Sequence, residues 1–403
     1  MPPAASGSSG QMSPQQINAL QRQTVLRNSV EMTQQIFSTT IAAAITSANN
    51  VLNINPRNVG LVKRFIVEIA GTATANTGAG TSTVYGLAKL LSNVQFLDLN
   101  NNVRINTDGV HLSALKQVKN REIALSAQPI STSATDAMLA GQFVSSGTAP
   151  NFIVINYPPA PATGGSAFRA VFEIPLAYSD DDLRGAIYLN VVNATAVLQL
   201  TLNPNAFATT SATDTTGNVW SSGANPQGTI TNTTVTVYQV YLDQLPVGQN
   251  GVILPTLDLS TVYELKMTTL SGQVVALDFP YPYANFRDFL STLITWNSTG
   301  ATAGLKNGSD VNYFALQSAN FTNIWKIDPL LAAQKTREII GSDLPLGTYY
   351  FSHRKKPLST VQYGNLQLIL NAASLTAGVS YENVYVEDFA LVNALTSAGS
   401  LAA

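Results

Sequence analysis

The sequence predicts an all-β chain built as two similar sandwiches in tandem, preceded by a helical arm. Three observations carry that prediction. From Asn58 onward, apolar and polar residues alternate with a period of two, the mark of strands with one buried face. Long polar stretches rich in Gly, Thr and Ser separate these runs. A six-residue string, LQLTLN at Leu198–Asn203, returns as LQLILN at Leu366–Asn371, each time after an aromatic, apolar strand.

The arm comes first. Residues 1–12 have the composition of a disordered leader. Ser13-Pro14-Gln15-Gln16 then supplies an N-cap, a proline at the first helical position and a capping-box glutamine. The spacing predicts a helix to about Val30 carrying Ile17, Leu20, Arg22 and Arg27. Arg22, Arg27 and Glu31 are the only charges in the first 50 residues, and residues 1–57 read as an arm rather than a domain.

The strands follow. In LVKRFIVEIAG, Phe65, Val67 and Ile69 share one face, while Arg64 and Glu68 share the other. In FRAVFEIPLAY, Phe168, Ala170, Phe172, Ile174 and Leu176 alternate with Arg169 and Glu173. AVLQLTLN places Leu198, Leu200 and Leu202 together, and TYYFS (Thr348–Ser352) precedes the second copy of the string. Two short helices interrupt the pattern. Ser179 with Asp180–Asp182 reads as an N-cap and acidic first turn, ended by Gly185. Asp328, Pro329 and Gly341 bracket a second helix as cap, first residue and stop.

An eight-stranded jelly roll needs about 45 strand residues at the usual strand length. Two of them fit residues 58–242 and 252–403, the second with a C-terminal tail. Between them, residues 243–251 read as a connector within YLDQLPVGQNGVILP (Tyr241–Pro255). Leu245 leads into it, Pro246 blocks strand continuation, and Gly248 and Gly251 permit the backbone to reverse.

Composition narrows the function. Charged residues make up 11% of the 403, against roughly 25% in ordinary soluble domains, and the net charge is −2. Such a surface offers little electrostatic repulsion and suits a protein that covers itself with neighbours. There is no cysteine, so disulfides, thiolate metal sites and cysteine nucleophiles are excluded. No run of about eighteen apolar residues is present.

Catalytic constellations are likewise missing. The two histidines, His111 and His353, lie far apart, too few for a jelly-roll metal site, and packing is their default role. Asp180–Asp182 lacks the spacing of a calcium loop and reads as a helix cap. GAGTST at Gly78–Thr83 lacks the third glycine of a dinucleotide loop. His353-Arg354-Lys355-Lys356 is the densest basic cluster, and Lys116, Lys119 and Arg121 form a looser one. Salt bridges or a solvated loop account for both better than nucleic-acid binding. Trp296 and Trp325 read as core. No enzyme, cofactor or metal is expected.

The central stretch TVYQVYLDQLPVGQNGVILPTLDLSTVYEL (Thr236–Leu265) resembles the major capsid protein of tectiviruses, tailless icosahedral phages with an internal membrane. NVGLVKRFIV (Asn58–Val67), IPLAYSDDDLRGAI (Ile174–Ile187), DVNYFALQSANF (Asp310–Phe321) and LSTVQYGN (Leu358–Asn365) are similar to it as well, in the same order. The loops at 71–84, 128–166 and 203–234 match poorly. The resemblance implies a double jelly roll and a homotrimer whose six sandwiches give a pseudo-hexagonal capsomer. It implies a virion shell made in the host bacterial cytoplasm, with vertex and minor capsid proteins as partners and no specific nucleic-acid binding. It also places the N-terminal helix at the inner face, with Arg22 and Arg27 available to lipid headgroups. The competing class is a jelly-roll carbohydrate-binding or surface-adhesion module, which would need neither the arm nor the similarity between halves.

Overall fold

Sixteen strands longer than two residues organise the described part of the chain. The computed structural model describes residues 12–41, 45–75, 81–82, 86–123, 165–190, 195–207, 219–221, 228–249, 251–272, 278–298, 311–319, 323–340, 348–372 and 380–390. The first eight strands are β1 (Val30–Ile41), β2 (Val51–Ile54), β3 (Leu61–Ala75), β4 (Leu91–Leu97), β5 (Val103–Thr107), β6 (Ser166–Pro175), β7 (Val197–Leu202) and β8 (Gly228–Asp243). The second eight are β9 (Val262–Gly272), β10 (Asp278–Pro282), β11 (Arg287–Ser298), β12 (Val311–Ser318), β13 (Trp325–Ile327), β14 (Thr348–Ser352), β15 (Leu366–Ala372) and β16 (Ser380–Ala390).

Both halves use one strand order. The first pairs β1-β8-β3-β6 in one sheet and β2-β7-β4-β5 in the other; the second pairs β9-β16-β11-β14 and β10-β15-β12-β13. Adding eight to each first-half label gives the second half. The repeated strings therefore occupy matching places: LQLTLN lies on β7 and LQLILN on β15, each the seventh strand of its half. This is the double jelly roll, two Greek-key sandwiches in one chain.

The halves are also one sheet. β5 of the first pairs parallel with β9 of the second, Leu265 opposite Ile105 and Lys266 opposite Asn106. The sheet runs unbroken from β14 to β2. One core follows the join: Phe65 and Phe96, 5.6 Å apart at their ring centroids, belong to the same cluster as Tyr263, Leu293, Tyr385 and Phe389. A second core around Phe314, Tyr349 and Leu370 fills the second sandwich. Each fully buried aromatic or leucine contributes about 1.5–3 kcal/mol.

Within each half, consecutive strands run in opposite directions. Connections after even-numbered strands therefore gather at one end, together with the N-terminal helix and the inter-sandwich connector. Connections after odd-numbered strands gather at the opposite end, where the strand ends flanking 76–80, 124–164, 208–218 and 299–310 lie.

The arm is shorter than the sequence reading made it. Helix α1 (Pro14–Asn28) forms as expected: Gln16 N donates to Ser13 Oγ at 3.3 Å, and Ser13 N to Gln16 Oε1 at 2.8 Å. But Val30–Ile41, assigned to the arm, is strand β1, paired with β8 from Val30↔Asp243 to Ile41↔Thr233. A register shift between Gln35 and Phe37 breaks its alternation, and β1 is an edge strand with no fully buried residue, so its period-two signal is faint. Helix α2 (Gly109–Ile123) went unread too. Asp108 caps it, accepting from His111 N at 2.8 Å, and Leu112, Leu115 and Val118 are buried at helical spacing.

Ser179–Gly185 is not a helix. Asp182 N donates to Ser179 Oγ at 3.1 Å, a turn rather than a cap, and the carboxylates serve cations instead: Asp180 meets Lys63 at 2.8 Å and also Arg64, while Asp182 meets Arg184 at 2.6 Å. Helix α3 (Thr256–Ser260) is one turn after the connector. Helix α4 (Pro329–Ile340) starts as the sequence implies, with Leu331 N donating to Asp328 Oδ1 at 2.9 Å. Gly341, the leader at 1–11 and the tail at 391–403 lie outside the described residues.

Candidate assembly site

Three features at the arm end and the sandwich junction bring the halves of the chain together. The first is the seat of α1. Asp258 on α3 is buried, and its carboxylate accepts Arg22 Nε at 2.5 Å, Arg22 Nη2 at 2.6 Å and Asn18 Nδ2 at 2.7 Å. Asn18 Oδ1 in turn accepts Leu257 N at 2.9 Å. Val25 and Leu26 pack below with Leu61, Ala177, Leu183 and Leu242. The hydrogen bond to Asp258 raises the pKa of Arg22, more than offsetting the lowering by burial.

Of the four arm residues, Ile17, Leu20 and Arg27 are exposed on α1. Arg22 is not: its guanidinium is spent on Asp258. Sequence spacing could not separate Arg22 from Arg27, because the partner lies more than 200 residues away.

The second feature is the connector. β8 stops at Asp243, and Gln244 turns the chain at φ 51°. Val247–Gly248 pairs antiparallel with Gly251–Val252, and Ile253 N donates to the Pro246 carbonyl at 2.8 Å. Leu245 packs into the α1 cluster. Gly251 sits at φ 105°, in the left-handed region where a side chain is strained, with open space around it. Gly248 has no such φ; a Cβ there would touch Ile253 at 3.4 Å.

The third feature, which sequence reasoning missed, is a buried ionic junction. Glu387 on β16 is wholly buried and accepts Tyr263 Oη at 2.5 Å, Ser291 Oγ at 2.7 Å and Arg354 Nη2 at 2.6 Å. Lys119 reaches it from α2 of the first half at 3.6 Å. Burial raises the Glu387 carboxyl, but Arg354 and Lys119 overcome this and hold it at about 2. Burial lowers Lys119, partly offset by Glu387. Beside it, Tyr385 donates to Asp108 Oδ2 at 2.7 Å and stacks on His111 at 4.5 Å. Burial pushes Asp108 up to about 6 and His111 down to about 3.

His111 is buried in the interior rather than packed at the surface or an interface as expected, and His353 is half-buried, with burial pushing it down to about 4. The basic clusters divide. Lys116 pairs with Glu173 at 3.1 Å and Lys119 and Arg354 serve Glu387, while Lys355 and Lys356 are exposed.

Comparison with known proteins agrees with this anatomy. Residues 4–245 match the family described as P3 major capsid protein N-terminal, and residues 260–403 that described as P3 major capsid protein C-terminal. The chain belongs to the P3 major capsid protein family. The interval between the two matches holds the connector hairpin and α3. The major capsid protein P3 of Enterobacteria phage PRD1 is 35% identical over 390 residues, covering 94% of this chain and 93% of that protein. Among solved structures, the crystal structure of the STIV MCP aligns with a TM-score of 0.56 at 11% identity, over 90% of this chain and 97% of that one. A chain from the atomic structure of Sulfolobus Turreted Icosahedral Virus aligns at 0.58 and 10%, over 90% and 91%. At those identities the likeness speaks for the fold. The family is structural, so the chain is a capsid-type protein and not an enzyme, and the carbohydrate-binding alternative falls away.

Proposed function

We propose that this chain is the repeating subunit of an icosahedral virion shell, acting as a homotrimer whose six sandwiches form a pseudo-hexagonal capsomer. The observation that carries this is the repeated strand order fused through one continuous sheet. One chain supplies two like wedges at a fixed angle, and threefold symmetry turns them into six. The connector Leu245–Gly251 then acts as a fixed joint. The arm end faces an internal membrane, with Ile17, Leu20 and Arg27 toward lipid and Arg22 anchoring the helix. The opposite end carries the long connections outward. Vertex and minor capsid proteins meet the lattice at its special positions, and synthesis takes place in the host bacterial cytoplasm.

The test is direct. Light scattering on purified protein gives three times 42.8 kDa, and negative-stain images show hexagonal outlines. A monomer at micromolar concentration refutes the reading. Obligate interfaces of this kind bury upwards of about 2,000 Å².

A further inference from the structure

Exposed apolar side chains are not spread evenly over the molecule. Of the thirteen large ones among the described residues, all but Val51, Leu330 and Leu331 lie at the arm end. Ile17 and Leu20 belong to α1, Val247 and Val252 to the connector hairpin, and Met12, Val30, Met32 and Val103 to other parts of the first half. Two remain: Phe286, in the turn between β10 and β11, and Val361, in the connection between β14 and β15. Both are on the second sandwich, and neither belongs to the cluster that seats α1. The turns that carry them are tied together, Arg287 N donating to Thr360 Oγ1 at 3.0 Å.

Phe286 is unusual in a second way. Its φ is 57°, a left-handed conformation that is a real outlier for a bulky side chain. Glycine or asparagine would occupy that turn at less cost. The residue is 46% exposed, so burial does not explain the choice. Strain held without packing reward is a mark of function. The neighbouring surface is polar but uncharged, lined by Asn285, Gln317, Asn365 and Gln367. In the connection that carries Val361, Lys355 and Lys356 are exposed. An outward aromatic and an aliphatic residue, with basic side chains exposed on the same connection, is the composition of an interfacial lipid contact.

We propose that Phe286 and Val361, with Lys355 and Lys356, form a second lipid-contact surface for an anionic bilayer, separate from α1. It rests on the reading that the arm end faces a membrane. Each chain then touches the bilayer at two points, one per sandwich, so the second sandwich is supported without an arm of its own. The apolar side chains enter the headgroup region, while the lysines meet anionic headgroups in a salt-sensitive contact.

The experiment is flotation of the full-length purified protein with vesicles of phosphatidylethanolamine and phosphatidylglycerol, and with neutral phosphatidylcholine vesicles as control. K355E/K356E changes only exposed side chains and is expected to lower the bound fraction at least threefold on anionic vesicles. F286G is expected to lower binding while leaving the melting temperature unchanged or higher, because glycine relieves the φ; F286W is expected to retain binding. A packing role for Phe286 predicts instead that F286G melts lower and floats normally, which overturns the proposal. Wild-type flotation by both K355E/K356E and F286G/V361S overturns it as well. I17S/L20S reports on α1 separately. Loss there with no loss in the patch variants leaves the arm reading standing and this one refuted; the reverse pattern refutes the arm reading and supports the patch. Equal binding to neutral vesicles, insensitive to salt, removes the role of the lysines and refutes the four-residue surface. Flotation by none of the proteins refutes both.

Discussion

Arg22 closes a two-bonded ion pair on Asp258, 236 residues further along the chain. The first helix is thereby tied to the first turn after the connector, so the start of one sandwich is pinned to the start of the other. Asp258→Ala leaves Arg22 and Asn18 without their acceptor. A hydrogen bond to a charged group contributes about 1.5–3 kcal/mol. The expected result is local: faster hydrogen exchange and proteolysis across residues 14–28, with a small change in global melting. Arg22→Ala should behave alike, whereas Arg27→Ala should leave exchange across α1 unchanged.

Glu387 is a stronger case. Glu387→Gln leaves Arg354 and Lys119 in a buried site without a countercharge, and breaking such a pair costs about 3–5 kcal/mol. Thermal melts should show a large loss of stability. The carboxyl is depressed from 4.5 to about 2, so its contribution is complete above pH 4.5 and is lost as pH falls toward 2. The acid limb of the wild-type profile should therefore flatten in the variant.

Asp388 has the opposite sign. It is buried on β16, and its Oδ1 has no hydrogen-bond partner. Burial raises its pKa from 3.8 to about 7, opposed by Arg287 and reinforced by Glu264. A raised carboxyl stabilises the fold at low pH and loses that contribution as pH climbs to about 7. Asp388→Asn should thus gain in melting temperature relative to wild type between pH 4 and 7, and hold that gain above it. A difference that does not vary with pH would contradict the assignment.

The connector glycines should part company. Gly251→Ala should cost about 1 kcal/mol or more, because φ is positive there even though space is open. Gly248→Ala should cost less, since only Ile253 needs to shift. Limited proteolysis of the native protein should spare 243–251 in both wild type and Gly248→Ala. Rapid release of two folded halves would show a tether instead of a joint.

Truncation should reveal where the arm ends. Removing residues 1–29 takes away α1 and leaves β1 whole; the protein should fold and form trimers but fail to close shells over a membrane. Removing residues 1–52 also strips β1 from β8 and half of β2 from β7. That chain should fold poorly, with a reduced far-UV β signal.

Much of this anatomy was legible in the sequence, for physical reasons. Strands with one buried face, such as β3 and β6, announce themselves by alternation. The repeated string fell on matching strands because it packs the same way in both halves. The helix start at Ser13 was readable because capping is local. β1 was hidden by its bulge and its exposed edge. α2 is signalled by Asp108 and the spacing of Leu112, Leu115 and Val118, but the lysines of its basic cluster mask that apolar stripe. Ser179–Asp182 misled because an acidic run looks the same whether it caps a helix or serves Lys63 and Arg64. Glu387 could not be found at all. Its partners Lys119, Tyr263, Ser291 and Arg354 are scattered over four segments, and only the fold assembles them.

The angle between the two sandwiches is quantised. Leu265 opposite Ile105 and Lys266 opposite Asn106 make it a matter of strand register. A slip by one residue would turn Leu265 out of the core and Lys266 into it, so intermediate angles are not available to gradual drift. The hairpin at Val247–Val252 crosses between the sandwiches at the same fixed geometry. A lineage carrying this chain can therefore vary the connections within each sandwich while every subunit keeps one fixed bite.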